Sequence, residues 1–146
     1  MNKSCTSKNV GYGALGGLVG GIVFGIMMAK MGVLIKIGSM IGMPNPVAGF
    51  AVHLIISMAM GVIFALIFYK AACKRLSGSI CGIIYGIIWW FLGPITLMPI
   101  MMGEQLGSMW NASVMQTALP SLFGHIVFGL LLGFTYGWMR SRKKTR

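Results

Sequence analysis

The sequence predicts an all-α, polytopic membrane protein: four transmembrane helices arranged as two parallel helical-hairpin repeats. Three observations carry this reading. Hydrophobic residues make up 57% of the 146 positions and charged residues 9%, which leaves too little polar surface for a water-soluble globule. Several apolar runs approach the roughly 20 residues that a helix needs to cross a bilayer. The two histidines occupy matching ladders that step by four: Gly49, His53, Ser57, Gly61 and Ala65, then Ser121, His125, Gly129, Gly133 and Gly137. Such steps keep residues near one helix face, so each histidine belongs to a stripe of small residues that admits another helix at close range.

The first span is expected over residues 10–29. Lys3 and Lys8 before it resemble the start of a signal peptide, but the apolar run is long and reaches Lys30 without a small-residue cleavage site, so it reads as a retained span. Its glycines at 13, 17, 21 and 25 repeat with helix period. The connection that follows places Val33, Leu34, Ile35, Ile37 and Ile41 around Lys36, too apolar a segment to stand free in water. It is expected at the membrane interface or dipping between helices, as a partial lid.

Asn45 and Pro46 give the second span, residues 47–69, its N-cap and first turn, since the first helical residue has no intrahelical use for the N–H that proline lacks. The third span, residues 79–97, carries Gly78, Gly82 and Gly86 along its start, and Pro94 and Pro99 should kink or end it. Its adjacent Trp89 and Trp90 allow two readings: one lines the interior while its neighbour meets lipid, or both are simply bulky helix packing. Residues 100–118 hold little charge; Trp110 is expected near headgroup level, adding to the lid. Pro120 opens the fourth span, residues 119–139.

Lysine and arginine fix the orientation. One side carries Lys3, Lys8, Lys70, Lys74, Arg75, Arg140, Arg142, Lys143, Lys144 and Arg146; the other carries Lys30 and Lys36. By the positive-inside rule both termini are cytoplasmic in a cell inner (plasma) membrane. The net charge of +11 is then largely a topology signal, attracted to anionic lipid headgroups, and the short basic tail of residues 140–146 gives no support to nucleic-acid binding.

The chain reads as one transmembrane domain, 1–146, with an internal duplication: repeat 1 about 10–70, repeat 2 about 78–139. Matching His53 to His125 places Gly61 on Gly133 and Phe64 on Tyr136. Two-span units preserve direction, so an approximate two-fold axis along the membrane normal should bring the histidines to equal depth in the outer part of the bilayer. Gly17, Gly21, Gly25, Ser57, Gly61, Gly82, Gly86, Gly129 and Gly133 are the expected helix-packing positions. A histidine within such a stripe is also explained as helix glue, hydrogen-bonding across an interface with Ser57 one turn away.

The functional reading of the pair starts from the rarity of ionisable groups inside spans, where they tend to mark sites and pathways. Ten of the fourteen methionines gather near the outer ends of spans one and three and in the outer connections. Thioether and imidazole together suit copper, which makes His53, His125, Met27, Met31, Met98 and Met101 a candidate metal set. Met27 and Met31 share the MxxxM spacing that resembles an element of eukaryotic high-affinity copper transporters, although methionine also fills apolar gaps without binding anything. Bis-histidine haem ligation is an alternative, with one imidazole on each iron face.

Conventional catalysis has little to stand on. The chain has no aspartate, Glu104 is its sole acidic residue, and the glycines at 13, 17, 21 and 25 precede no P-loop lysine. Cys5, Cys73 and Cys81 fit no zinc or redox spacing. The protein is therefore expected not to be an enzyme.

The passages PNPVAGFAVHLIISMAMGVIFA, YGIIWWFLGPITLMP and SLFGHIVFGLLLGFTYGW cover most of the chain and resemble small bacterial four-span inner-membrane proteins. That family has no assigned activity, so the resemblance implies location and span number and supplies no site residues. Two roles follow as expectations: a protein that binds or passes a small ligand or metal ion at the histidine pair, with copper the sharpest candidate, and a structural or accessory membrane subunit whose glycine faces bind another span or a second copy as a homo-oligomer.

Overall fold

Four long helices, crossed in alternating directions, carry the chain back and forth between a terminal end, where the first helix begins and the last one ends, and a far end. The computed structural model describes residues 3–143; the side chains of residues 3–7, 117 and 143 are outside that description. Of the basic flanks, Lys144 and Arg146 therefore lie outside the described residues, as do the side chains of Lys3, Cys5 and Lys143. The described residues are all-helical where regular, with no strand.

The helices are α1 (Lys3–Lys30), α2 (Val33–Ser39), α3 (Pro46–Ile67), α4 (Arg75–Leu92), a π-helical turn (Gly93–Leu97) running into α5 (Met98–Met101), α6 (Ala112–Thr117) and α7 (Leu119–Lys143). Four stretches are long and apolar enough to cross a membrane: Lys8–Lys30, Pro46–Ile67, Arg75–Met101 and Leu119–Arg142. Asn45 caps α3 as its sequence suggests, with Oδ1 accepting from the Ala48 N–H at 2.8 Å and Pro46 in the first turn. Pro94 behaves differently from a simple helix breaker. The third span absorbs it in the π turn, where Thr96 Oγ1 donates to the Phe91 carbonyl at 2.9 Å, and continues to Met101.

Around the bundle the order is α3, α1, α7, α4, and glycine decides how close each neighbour comes. A methyl group on Gly13 or Gly61 would collide with the other's carbonyl oxygen, and one on Gly17 with that of Ser57. The α4–α7 seam repeats the arrangement: Gly78 is set against Gly133, Gly82 against Gly129, and Gly86 against the His125 carbonyl. Backbone-to-backbone approach of this kind replaces the hydrophobic driving force that lipid removes. A second stripe on α1, Gly16 and Gly20, meets Leu132 and Phe128 of α7, so α1 carries two such faces and sits between both partners.

The fourth seam is different. α3 and α4 follow one another in the chain yet hardly pack together. Near the terminal end they are joined by rings: Phe64 and Phe68 meet Tyr85 with centroids 5.4 and 6.0 Å apart, and the Tyr85 hydroxyl donates to the Met60 carbonyl at 2.8 Å. Tyr136, fully buried, closes the cluster against Phe64, and Arg140 donates to the Tyr69 carbonyl. Toward the far end the seam opens.

Candidate functional site

That opening is the mouth of a cavity of about 300 Å³ in the far half of the bundle, lined from all four spanning stretches and from α2. Its floor is Met60, Trp89 and Phe128, resting on the aromatic cluster; its cover is Val33, Ile37 and Met40. The α2 segment can serve as cover because Leu34, 2% exposed, is sunk against α3, where Gly49 admits the Leu34 carbonyl at a distance no side chain would allow.

Both histidines reach this cavity. His53, buried on α3, donates from Nε2 to the Gly21 carbonyl of α1 at 3.0 Å, with Ser57 Oγ 3.4 Å from the same nitrogen. A carbonyl acceptor requires the N–H to be there, so in a neutral ring the lone pair is left on Nδ1. His125 makes the opposite choice: Nδ1 donates to the Ser121 carbonyl one turn back at 2.7 Å, which leaves the lone pair on Nε2. The structure thus leaves two imidazole acceptors at the cavity, one from α3 and one from α7, on either side of α1. Beside them the Ser121 hydroxyl is buried without a hydrogen-bond partner among the described residues.

Phe24 of α1 packs edge-on against both imidazoles, with centroids 5.4 Å from His53 and 4.7 Å from His125 and interplanar angles of 85° and 67°. Gly124 makes room for it, since a methyl there would strike the Phe24 ring. Sequence reasoning missed Phe24; one phenylalanine in an apolar run carries no periodic signal.

The methionines sort by helix face. Met31, Met98 and Met101 line the cavity, and so do Met28, Met40 and Met60. Met27 does not: it is half-buried against the core beside the cavity, because one residue along a helix turns the side chain by about 100°. The MxxxM pair is therefore split, and Met28 takes the place expected of Met27. Among the described residues no group of three or more His, Cys, Asp or Glu side chains could hold a metal.

One expectation about the outer connections is corrected. Trp110 is no part of the cover: its ring lies 5.7 Å from Phe91 and its Nε1 donates to Thr96 Oγ1 at 3.3 Å, on the flank of the third span. Of the two adjacent tryptophans, Trp90 is the more deeply buried. Trp89 lines the cavity, and Trp90 is buried with Nε1 donating to the Ala118 carbonyl at 3.2 Å. That carbonyl, just before the fourth span, satisfies the indole N–H of the buried Trp90. Comparisons of the chain with protein-family models, with curated proteins and with solved structures find no match.

Proposed function

We propose that this is a non-enzymatic, multi-pass protein of a bacterial inner membrane that holds or passes a small, largely apolar ligand in its far-half cavity. The carrying observation is the cavity itself: about 300 Å³, walled by apolar side chains and reached by two polar rings, His53 and His125. That is the usual make-up of a small-molecule site. Under the positive-inside rule the far end, with Lys30 and Lys36, is the outer one, so the cavity lies in the outer half of the membrane. The two seams step alike, Gly13 to Gly61 and Gly17 to Ser57 beside Gly78 to Gly133 and Gly82 to Gly129, which supports descent of the two hairpins from one repeat.

Soft-metal binding is the second reading, favoured by six thioethers around two imidazole lone pairs. Haem fits poorly. Its plane would have to pass between the two imidazoles, which share a phenyl ring as neighbour, and no basic side chain lines the cavity to meet the propionates. The accessory-subunit reading loses its glycine faces, because the Gly17, Gly61, Gly82 and Gly129 contacts are all within the chain.

Purification in mild detergent, followed by solvent extraction, mass spectrometry and metal analysis, separates these readings. The expected result is a co-purifying small apolar molecule that disappears in Gly93→Leu, a substitution aimed into open space on the cavity wall. Stoichiometric copper, lost in His53→Ala and His125→Ala, would instead establish the metal reading.

A further inference from the structure

We infer that the cavity takes the headgroup of a lipid-soluble phenol or hydroquinone, entering from the bilayer between α3 and the far part of the third span. The inference rests on the small-ligand reading above and names its chemical class.

Entry comes first. The cavity-lining residues that remain exposed are Ile56 on α3, Leu97 and Met101 on the other side of the seam, and Met31 at the far edge. Ile56 lies midway along its span, so in a membrane this mouth opens onto acyl chains, with no charged side chain at its rim. A lipid-soluble molecule reaches such an opening without leaving the bilayer, whereas a hydrated ion must shed its water in hydrocarbon. The π turn shapes the same side: Gly93 faces empty space, where an added methyl would meet no atom within 4 Å. Such turns inside α-helices recur at functional sites.

Recognition follows from the unsatisfied groups. His53 Nδ1 and His125 Nε2 can only accept, because each ring's N–H is already given to a backbone carbonyl. The Ser121 hydroxyl is sealed beside them and offers no surface to the cavity. A ligand hydroxyl meets that demand by donating to an imidazole. A ketone or ether, which can only accept, cannot. Ring shape is matched by Phe24, Trp89 and Phe128, and by thioethers such as Met28 and Met60, which favour aromatic neighbours.

The test is a titration of the full chain in lipid nanodiscs, under anaerobic conditions, with decylhydroquinone and with its dimethyl ether, read through quenching of tryptophan fluorescence. Saturable quenching by decylhydroquinone is expected, with the ether roughly tenfold weaker, about the cost of one hydrogen-bond partner. His125→Ala should bring the hydroquinone down to the ether's affinity and leave the ether unchanged. Equal affinities for the two compounds would overturn hydroxyl recognition while leaving the cavity reading in place. Failure of both compounds to bind, with Gly93→Leu also retaining whatever co-purifies with the parent, would overturn the cavity reading too. Should Gly93→Leu not fold, Ile56→Trp at the exposed rim obstructs the same mouth and is read in the same way.

Discussion

Whether a glycine can be replaced here depends on what lies opposite its hydrogen. At Gly61 and Gly129 the space for a methyl is taken by the Gly13 and Gly82 carbonyls, rigid helix backbone that must shift as a whole. Gly61→Ala and Gly129→Ala should each lower stability by about 1–3 kcal/mol, as overpacking does, seen as a lower midpoint for thermal unfolding in detergent. Gly11→Ala is the control, because a methyl there meets nothing within 4 Å; its midpoint should hold or rise, as alanine favours helix over glycine. At this scale the sequence was legible wherever position alone decides. The steps of four pointed to glycines that the structure sets against carbonyls, yet they could not say which carbonyl each meets, since that depends on the offset between two helices. For the same reason Met27 was preferred to Met28: an i,i+4 spacing marks a face and leaves open whether it points at the cavity or past it.

Among the elements, α2 owes its place to one glycine. The Leu34 carbonyl fits against Gly49, and Leu34 itself is sunk into the core, so a seven-residue helix stays docked over the cavity. Gly49→Ala should lift it. With native cysteines replaced and Ile37→Cys introduced on the cover, a thiol reagent should label the Gly49→Ala protein several-fold faster than the parent; equal rates would show that α2 is held by something else. A second prediction concerns the α3–α4 seam, where Tyr85 donates to the Met60 carbonyl from an otherwise aromatic cluster. Tyr85→Phe keeps the ring packing and removes that bond, so it should cost about 0.6–1.7 kcal/mol, measured by the same unfolding assay. The apolar connection after span one was readable as a cover from its composition. The π turn was not, because proline announces a broken hydrogen-bond pattern without saying whether the helix stops or adds a residue and goes on.

For the molecule as a whole, the decisive property is that its two ends are built differently. At the terminal end, rings of Phe64, Tyr85 and Tyr136 fill the bundle and Arg140 binds the Tyr69 carbonyl across helices, while Lys70, Lys74, Arg75 and Arg142 stand around the rim. At the far end the bundle is hollow, and Lys30 and Lys36 are the basic residues there among those described. Charge and packing are therefore polarised along the same axis. Translocating the terminal end would move its arginines and lysines across the bilayer, each costing about 2.5–3.5 kcal/mol at the membrane centre, whereas the far end brings two lysines. The orientation with the closed end inside should win. In intact cells a membrane-impermeant amine reagent should then modify Lys36 and spare Lys70 and Lys74, and all three should react once the membrane is opened. Labelling of Lys70 in intact cells would invert the molecule, turn the cavity mouth toward the cytoplasmic leaflet, and require any ligand it holds to come from that side.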